Sequence, residues 1–495
     1  MKKMKLYALL LGAVAFASCS KDDVKADGPV IPSEAQVWKG ASIGDGTAEF
    51  EIKGKYVIKK GVYDLRGWVY VVDGSELYIE PGTIIKGEKA SKASLIIERG
   101  GKLFAEGTKT QPIVFTSAEA PGSRKPGDWG GLIVCGKAKN NLAEMTIEGG
   151  PRSKHGGSDD NDNSGIIRFV RVEFAGFPFA TDQEINGITF GSVGRGTTID
   201  HVQVSYSNDD SFEWFGGSVN AKYIVAYHGW DDDFDTDNGF SGNVQYALSV
   251  RNPRIADASV SNTFESDNNS SGNTAAPFTK AVFSNVTLVG PMVADAAFQN
   301  TSDYINGGSY NPNNGSRLGQ YQAAVQIRRN SKLSIFNSVA AGFPVGLILD
   351  NEKGTAQAWA ANGELSVDNF VFAGMTITGS DKNKSWNDYL STDGKTEDNT
   401  QESFSTTYFK SKPGNTALAS MGDLMLSQPN SLEAGVNFGP KAGSPLLNRD
   451  NLFTHGLLQD SFFDKVTYVG AFKSDSSADN WTLGWVNYDP QNTVY

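Results

Sequence analysis

The chain has 495 residues, a formal charge of −12, 55 glycines and only two cysteines. That charge argues against nucleic acid or an anionic membrane surface as a partner, and so few cysteines leave no disulfide framework or cysteine metal site. Abundant Gly, Asn, Asp and Ser suit a turn-rich all-β chain, and a single solenoid can use the full length as readily as several globular domains.

Residues 1–18 join a lysine-rich start to an apolar run and small residues, the pattern of a secretory signal too short to span a membrane. Ala17-Ser18-Cys19 resembles a bacterial lipobox, in which Cys19 is lipidated and becomes the first residue of the mature protein. Ser20-Lys21-Asp22-Asp23 resembles the acidic export tag of surface lipoproteins in Bacteroidetes-type bacteria. The expectation is an outer-membrane lipoprotein facing the cell surface, held by its lipid without spanning the bilayer. Residues 19–45 read as the lipidated Cys and a flexible tether.

Residues 46–380 are predicted to form a right-handed parallel β-helix. Tyr70–Gly87 alternates apolar residues between glycines, and Ile79-Glu80-Pro81-Gly82 returns as Ile97-Glu98-Arg99-Gly100, an 18-residue offset that reads as narrow early coils. Cys135, the cysteine left after lipidation, lies in an apolar run and reads as a small buried hydrophobe. Asp160–Gly165 matches the first half of a calcium loop, but Arg171 at its twelfth position excludes an EF-hand, and an Asx-rich turn fits as well.

The most informative stretch follows. Asp209-Asp210-Ser211-Phe212-Glu213-Trp214-Phe215 returns 22 residues later as Asp231-Asp232-Asp233-Phe234-Asp235-Thr236-Asp237, and more weakly as Asn262-Thr263-Phe264-Glu265-Ser266-Asp267. Short β-branched or aromatic strands separate the copies, so the copies are predicted to stack on neighbouring coils about 4.8 Å apart. Side chains alternate along a strand. Phe212, Phe234 and Phe264 are therefore expected inward, with Glu213, Asp235 and Glu265 outward.

Beyond residue 380 the pattern fades. Residues 381–495 read as an irregular excursion and C-terminal capping region, with a short helix around Ala417–Leu426 and an aromatic tail, Tyr468–Phe472 with Trp481 and Trp485, packed over the open end. The segments around Asp128–Ala138, Gly156–Gly176 and Glu184–Asn252, with the closing Val469–Phe472 and Trp485, resemble a group of bacterial secreted or outer-membrane lipoproteins. The resemblance implies a fold like that of pectin and pectate lyases and covers most of residues 60–490, and that group has no established activity.

Three functional readings compete. In the first, Asp209, Asp210, Glu213, Asp231, Asp232, Asp235 and Asp237, with Glu265 and Asp267 on a third coil, form the oxygen shell of a Ca²⁺ ion. In the second, the stacked acids are catalytic in a polysaccharide hydrolase or lyase, with Asp210, Asp232 and His228 as the candidates. The characteristic downstream Arg-x-Lys element is not evident, Arg328-Arg329 being the nearest basic pair, and His201 and His228 read as wall residues. In the third, Trp214, Tyr227 and Trp230 beside the acids bind a sugar or a protein partner such as an outer-membrane nutrient receptor. The first and third together give the favoured expectation: a lipid-anchored β-helix with a calcium-loaded acidic groove for an extracellular glycan or another surface ligand, the enzyme being the alternative.

Overall fold

A computed structural model describes residues 28–495 apart from 143, 181, 182 and 313; the signal segment and Cys19 lie outside the described residues. The chain winds as a right-handed parallel β-helix. Among the described residues, parallel strands form one 11-stranded sheet and one 18-stranded sheet. The larger sheet is bent. Strand Gly165–Glu173 pairs along its first half with Lys102–Glu106 and along its second with Ile113–Ser117, and folds at Phe169 between them. Each coil thus has three sides: one strand of the smaller sheet, then the two arms of the bent sheet.

The bend carries a column of residues held at positive φ. Phe169 (48°), His201 (54°), Tyr223 (57°) and Tyr246 (62°) are followed by Asn285 (57°), Asn337 (53°) and Asn369 (55°). Left-handed backbone costs a non-glycine residue roughly 1–2 kcal/mol, and Asn tolerates it best. The aromatic members offset that cost by stacking, with ring centroids 4.4, 4.5 and 4.9 Å apart from Phe169 through Tyr246. His201 is one rung of this column, a wall residue.

The core is built of inward columns one residue per coil. In the smaller sheet, Leu95, Leu132, Ile188, Phe212, Phe234, Phe264, Val325 and Leu347 lie in register, each at most 1% exposed. Burying each such side chain contributes about 1.5–3 kcal/mol. The predicted inward Phe ladder is therefore present, with 5.9 and 5.2 Å between successive ring centroids.

Several expectations need correction. Ile79 lies in the bent sheet and Ile97 in the smaller one, so the 18-residue offset relates two sides of a coil; true steps are longer, Val57 pairing with Tyr78 and Leu77 with Leu103. Among the described residues, coil strands begin at Gln36 and end at Leu418, outside the bounds 46–380. The helix expected around Ala417–Leu426 is a strand, Thr416–Leu418, and a short 3₁₀ turn, Met421–Leu424. An α-helix forms earlier, over Phe404–Ser411, where the Ser403 side chain accepts from the Thr406 N–H and Asp381 accepts from two further amides. Phe409 of this helix stacks on Phe372 at 4.2 Å, so the helix rather than the tail closes the core.

The aromatic tail instead runs back along one side as a strap. Phe438, Phe472 and Trp485 pack on Phe169, Tyr206, Val225, Tyr227 and Leu248, the outer face of the bent sheet. Its end reaches the early coils, where Arg124 donates to the Pro490 and Thr493 carbonyls at 2.6 and 2.9 Å and the Tyr495 hydroxyl donates to Glu173. Among the described residues no helix is long and apolar enough to cross a membrane.

Candidate functional site

The acidic residues occupy one corner of the solenoid, where each coil turns from the bent sheet into the smaller one. Asp209 and Asp210 lie in the turn between strands Thr198–Ser205 and Phe212–Phe215. Asp231 and Asp232 lie in the next turn, before Phe234–Asp237. The strands pair Phe212 with Phe234 and Glu213 with Asp235, then Phe234 with Phe264 and Asp235 with Glu265. Inward Phe and outward acid alternate because strand side chains alternate.

This register converts a sequence repeat into a carboxylate cluster. Oxygens of Asp209, Asp210 and Asp231 lie within 4.8 Å of one another, as do those of Asp210, Glu213 and Asp235, so Asp210 belongs to both groups. Two full negative charges at that distance repel by roughly 3.5 kcal/mol at an effective dielectric near 20. Withdrawal from water, followed by repulsion among neighbouring carboxylates, pushes Asp209, Asp210, Glu213 and Asp235 well above the usual carboxylate range. Asp231, Asp232 and Asp237 move the same way, chiefly by burial. Without a cation the cluster must hold protons.

Hydrogen bonds position the cluster. The Asp232 amide donates to Asp210 Oδ1 at 2.9 Å, the Asn262 amide to Asp232 Oδ1, and the Asn186 side chain to Glu213. Ser259 donates to Asp231 at 2.6 Å. Beneath the turn, the fully buried Asp233 pairs with the fully buried Arg251 at 2.8 Å and accepts from Ser249. Two carboxylate oxygens, Asp231 Oδ1 and Asp235 Oδ1, are buried without a hydrogen-bond donor. That is the environment a hard cation with six to eight oxygen ligands would satisfy, so the residues present fit Ca²⁺.

Not every predicted ligand joins the cluster. Arg328 pairs with Glu265 and, at 3.0 Å, with Asp267, while Arg329 reaches Asp267 at 2.6 Å. These two acids are paired with arginines, and neither belongs to the two carboxylate groups above. Asp237 accepts from the Asn238 amide at 2.5 Å, and Asp232 links the two turns through the backbone. The half-calcium-loop acids Asp160 and Asp162 instead bind Lys139 and the Lys137 amide, bracing a turn.

The aromatic and histidine candidates are corrected outright. Trp214 is fully buried between Phe190, Phe212 and Phe240, Trp230 is fully buried, and Tyr227 is 1% exposed with its hydroxyl on the Tyr488 carbonyl. None presents a ring face to a ligand. His228 is 1% exposed, hydrogen-bonded to Tyr206 and Ser431 under the strap, and burial lowers it to about 3. It forms no acid–base unit with Asp210 or Asp232. Sequence reasoning missed Asn186 and Ser259, single polar residues outside the repeat, and nothing in the pattern marks them.

The model of a pectate-lyase-like β-helix domain family matches residues 51–419, and the chain belongs to that family. Pectate lyase Pel9A is similar at 13% identity over 86% of this chain and 89% of its own, with a TM-score of 0.28. The Dettilon tailspike protein is similar at 12% identity over 66% and 62%, with a TM-score of 0.25. Neither likeness is close enough to bear on site or substrate. No curated protein matches the chain.

Proposed function

We propose that this member of the pectate-lyase-like β-helix domain family is a lipid-anchored surface protein whose acidic corner holds Ca²⁺ and binds an extracellular glycan. The observation that carries the reading is the pair of carboxylate groups sharing Asp210, with two buried oxygens left without donors. Carboxylates from successive coils would hold the ion, and the ion would neutralise the groove and offer a coordination position to an anionic or hydroxyl-rich sugar. Polysaccharide binding or degradation suits the family's fold, although a fold alone does not transfer an activity. The anchor rests on the Ala17-Ser18-Cys19 junction, and an outer-membrane nutrient receptor would be a compatible partner.

Calcium titration of the soluble chain lacking residues 1–19 tests the reading, followed by heat of binding and melting temperature. A saturable signal that raises the melting temperature and weakens at least about tenfold in Asp210→Asn is expected, because that residue serves both groups. No heat and an unchanged melt would remove calcium from the account. The raised carboxylates would then favour the second reading, acid–base cleavage of a polysaccharide, to be measured as release of reducing or unsaturated ends across pH.

A further inference from the structure

Three coils beyond the Asp231 turn, the same corner of the solenoid opens into a cavity of about 380 Å³. It lies between the long insertion after strand Val282–Val289 and the turns at Pro344 and Thr376. Register fixes the distance: Ser261 bridges Tyr321, and Ala323 pairs with Val345, so Pro344 stands about 14 Å along the axis from the Asp231 turn.

The lining has a definite chemistry. Two half-buried rings, Phe298 and Trp386, form its apolar part together with Met292 and Pro344. Both are fixed: the Trp386 indole N–H donates to the Tyr321 carbonyl at 2.9 Å, and Phe298 packs against Tyr304 and Tyr321 with centroids 5.8 and 5.9 Å apart. Asn300, Gln320 and the exposed Thr376 add amide and hydroxyl groups. Asn300 is itself braced by two hydrogen bonds to the Tyr321 backbone, at 2.8 and 2.9 Å. No ionisable side chain lines the cavity among the described residues.

We propose that this cavity is a subsite for an uncharged glycosyl residue of the chain that the acidic corner binds. A sugar ring has an apolar C–H face that suits the fixed indole and phenyl rings, and an edge of hydroxyls that suits amides and a threonine. Asn300 and Gln320 are already engaged in the wall, Asn300 with the Tyr321 backbone and Gln320 with the Asn300 carbonyl, and Gln320 Oε1, the second amide hydrogens and the exposed Thr376 hydroxyl remain for the hydroxyls of a ligand. A uronate would find no cation here. The larger cavity, about 490 Å³ near Arg152, is no rival, because its cations are already engaged: Arg152 by Glu49, Glu51 and Glu98, Arg99 and Lys154 by Glu144, Lys137 by Asp73.

The proposal rests on the glycan reading, and calorimetry can separate the two. Cellohexaose, mannohexaose and galactohexaose serve as uncharged probes and hexagalacturonate as the anionic one, each with Ca²⁺ and with chelator. At least one uncharged hexasaccharide is expected to bind, about tenfold more weakly to both Trp386→Ala and Thr376→Lys. The second variant fills the cavity from an exposed position and leaves the core intact, so it holds if the first disturbs folding. Absence of binding by every uncharged probe, or binding unchanged within about twofold in both variants, overturns the proposal. Hexagalacturonate binding that needs Ca²⁺, with no uncharged probe binding, would overturn the subsite and leave the acidic corner standing. Loss in the cavity variants, with indifference to chelator and to Asp210→Asn, would support the subsite and overturn the calcium reading.

Discussion

At the scale of single residues, the site is defined by carboxylates that cannot all be ionised together. A carboxyl raised in the folded state binds more protons folded than unfolded, so its contribution to stability falls as pH rises from the ordinary carboxylate range towards its raised value. With chelator present, wild type is expected to lose melting temperature relative to Asp235→Asn as pH goes from about 4.5 to 7.5, and Ca²⁺ should offset the loss. Parallel pH profiles for the two proteins would contradict the assignment. The Arg251–Asp233 pair behaves differently, being fully buried and mutually satisfied in charge. Replacing Arg251 by Met strands the Asp233 charge and should cost about 3–5 kcal/mol in chemical denaturation, while Arg251→Met with Asp233→Leu should recover part of it. The acids were legible because they repeat. Their engagement was not: only the fold brings Arg328 and Arg329 onto Glu265 and Asp267, and only burial disqualifies Trp214, Tyr227, Trp230 and His228 as surface groups.

At the scale of elements, the bend in the larger sheet explains which corner residues the chain can use. Tyr223 sits at φ 57° between His201 and Tyr246 and stacks on both. Tyr223→Val places a β-branched residue in left-handed backbone and removes three ring contacts, with His201, Tyr246 and Trp481, so a loss of about 2–3 kcal/mol is expected. Tyr223→Asn, the residue type of the later rungs, should cost clearly less, and equal losses would contradict the account. The closing helix makes a second test. Phe409→Ala removes the ring that lies on Phe372, and about 3–5 kcal/mol should be lost from the C-terminal coils. The offset of 22 residues was readable because two successive coils there are free of insertions, whereas the early 18-residue match joined two sides of one coil. A short self-match does not say which faces it relates; hydrogen-bond register does.

At the scale of the whole molecule, the solenoid presents its acidic corner and its ring-lined cavity along one edge, while the strap from Phe438 to Tyr495 covers another side. All-β solenoid character followed from glycine content and strand spacing. The strap did not, because aromatic residues in a tail show that they need burial and not where they find it. The anchor is a proposal about Cys19, and Cys19→Ala should shift the protein from the membrane fraction to the soluble one; retention in membranes would contradict it. The central claim is that stacked carboxylates at this corner hold Ca²⁺. Anomalous diffraction from crystals grown in Ca²⁺ tests it most directly. A calcium peak is expected about 2.3–2.6 Å from an Asp210 oxygen and shared with Asp231 or with Glu213 and Asp235. A well-ordered corner with no peak there, its carboxylates joined only by protons, would contradict it.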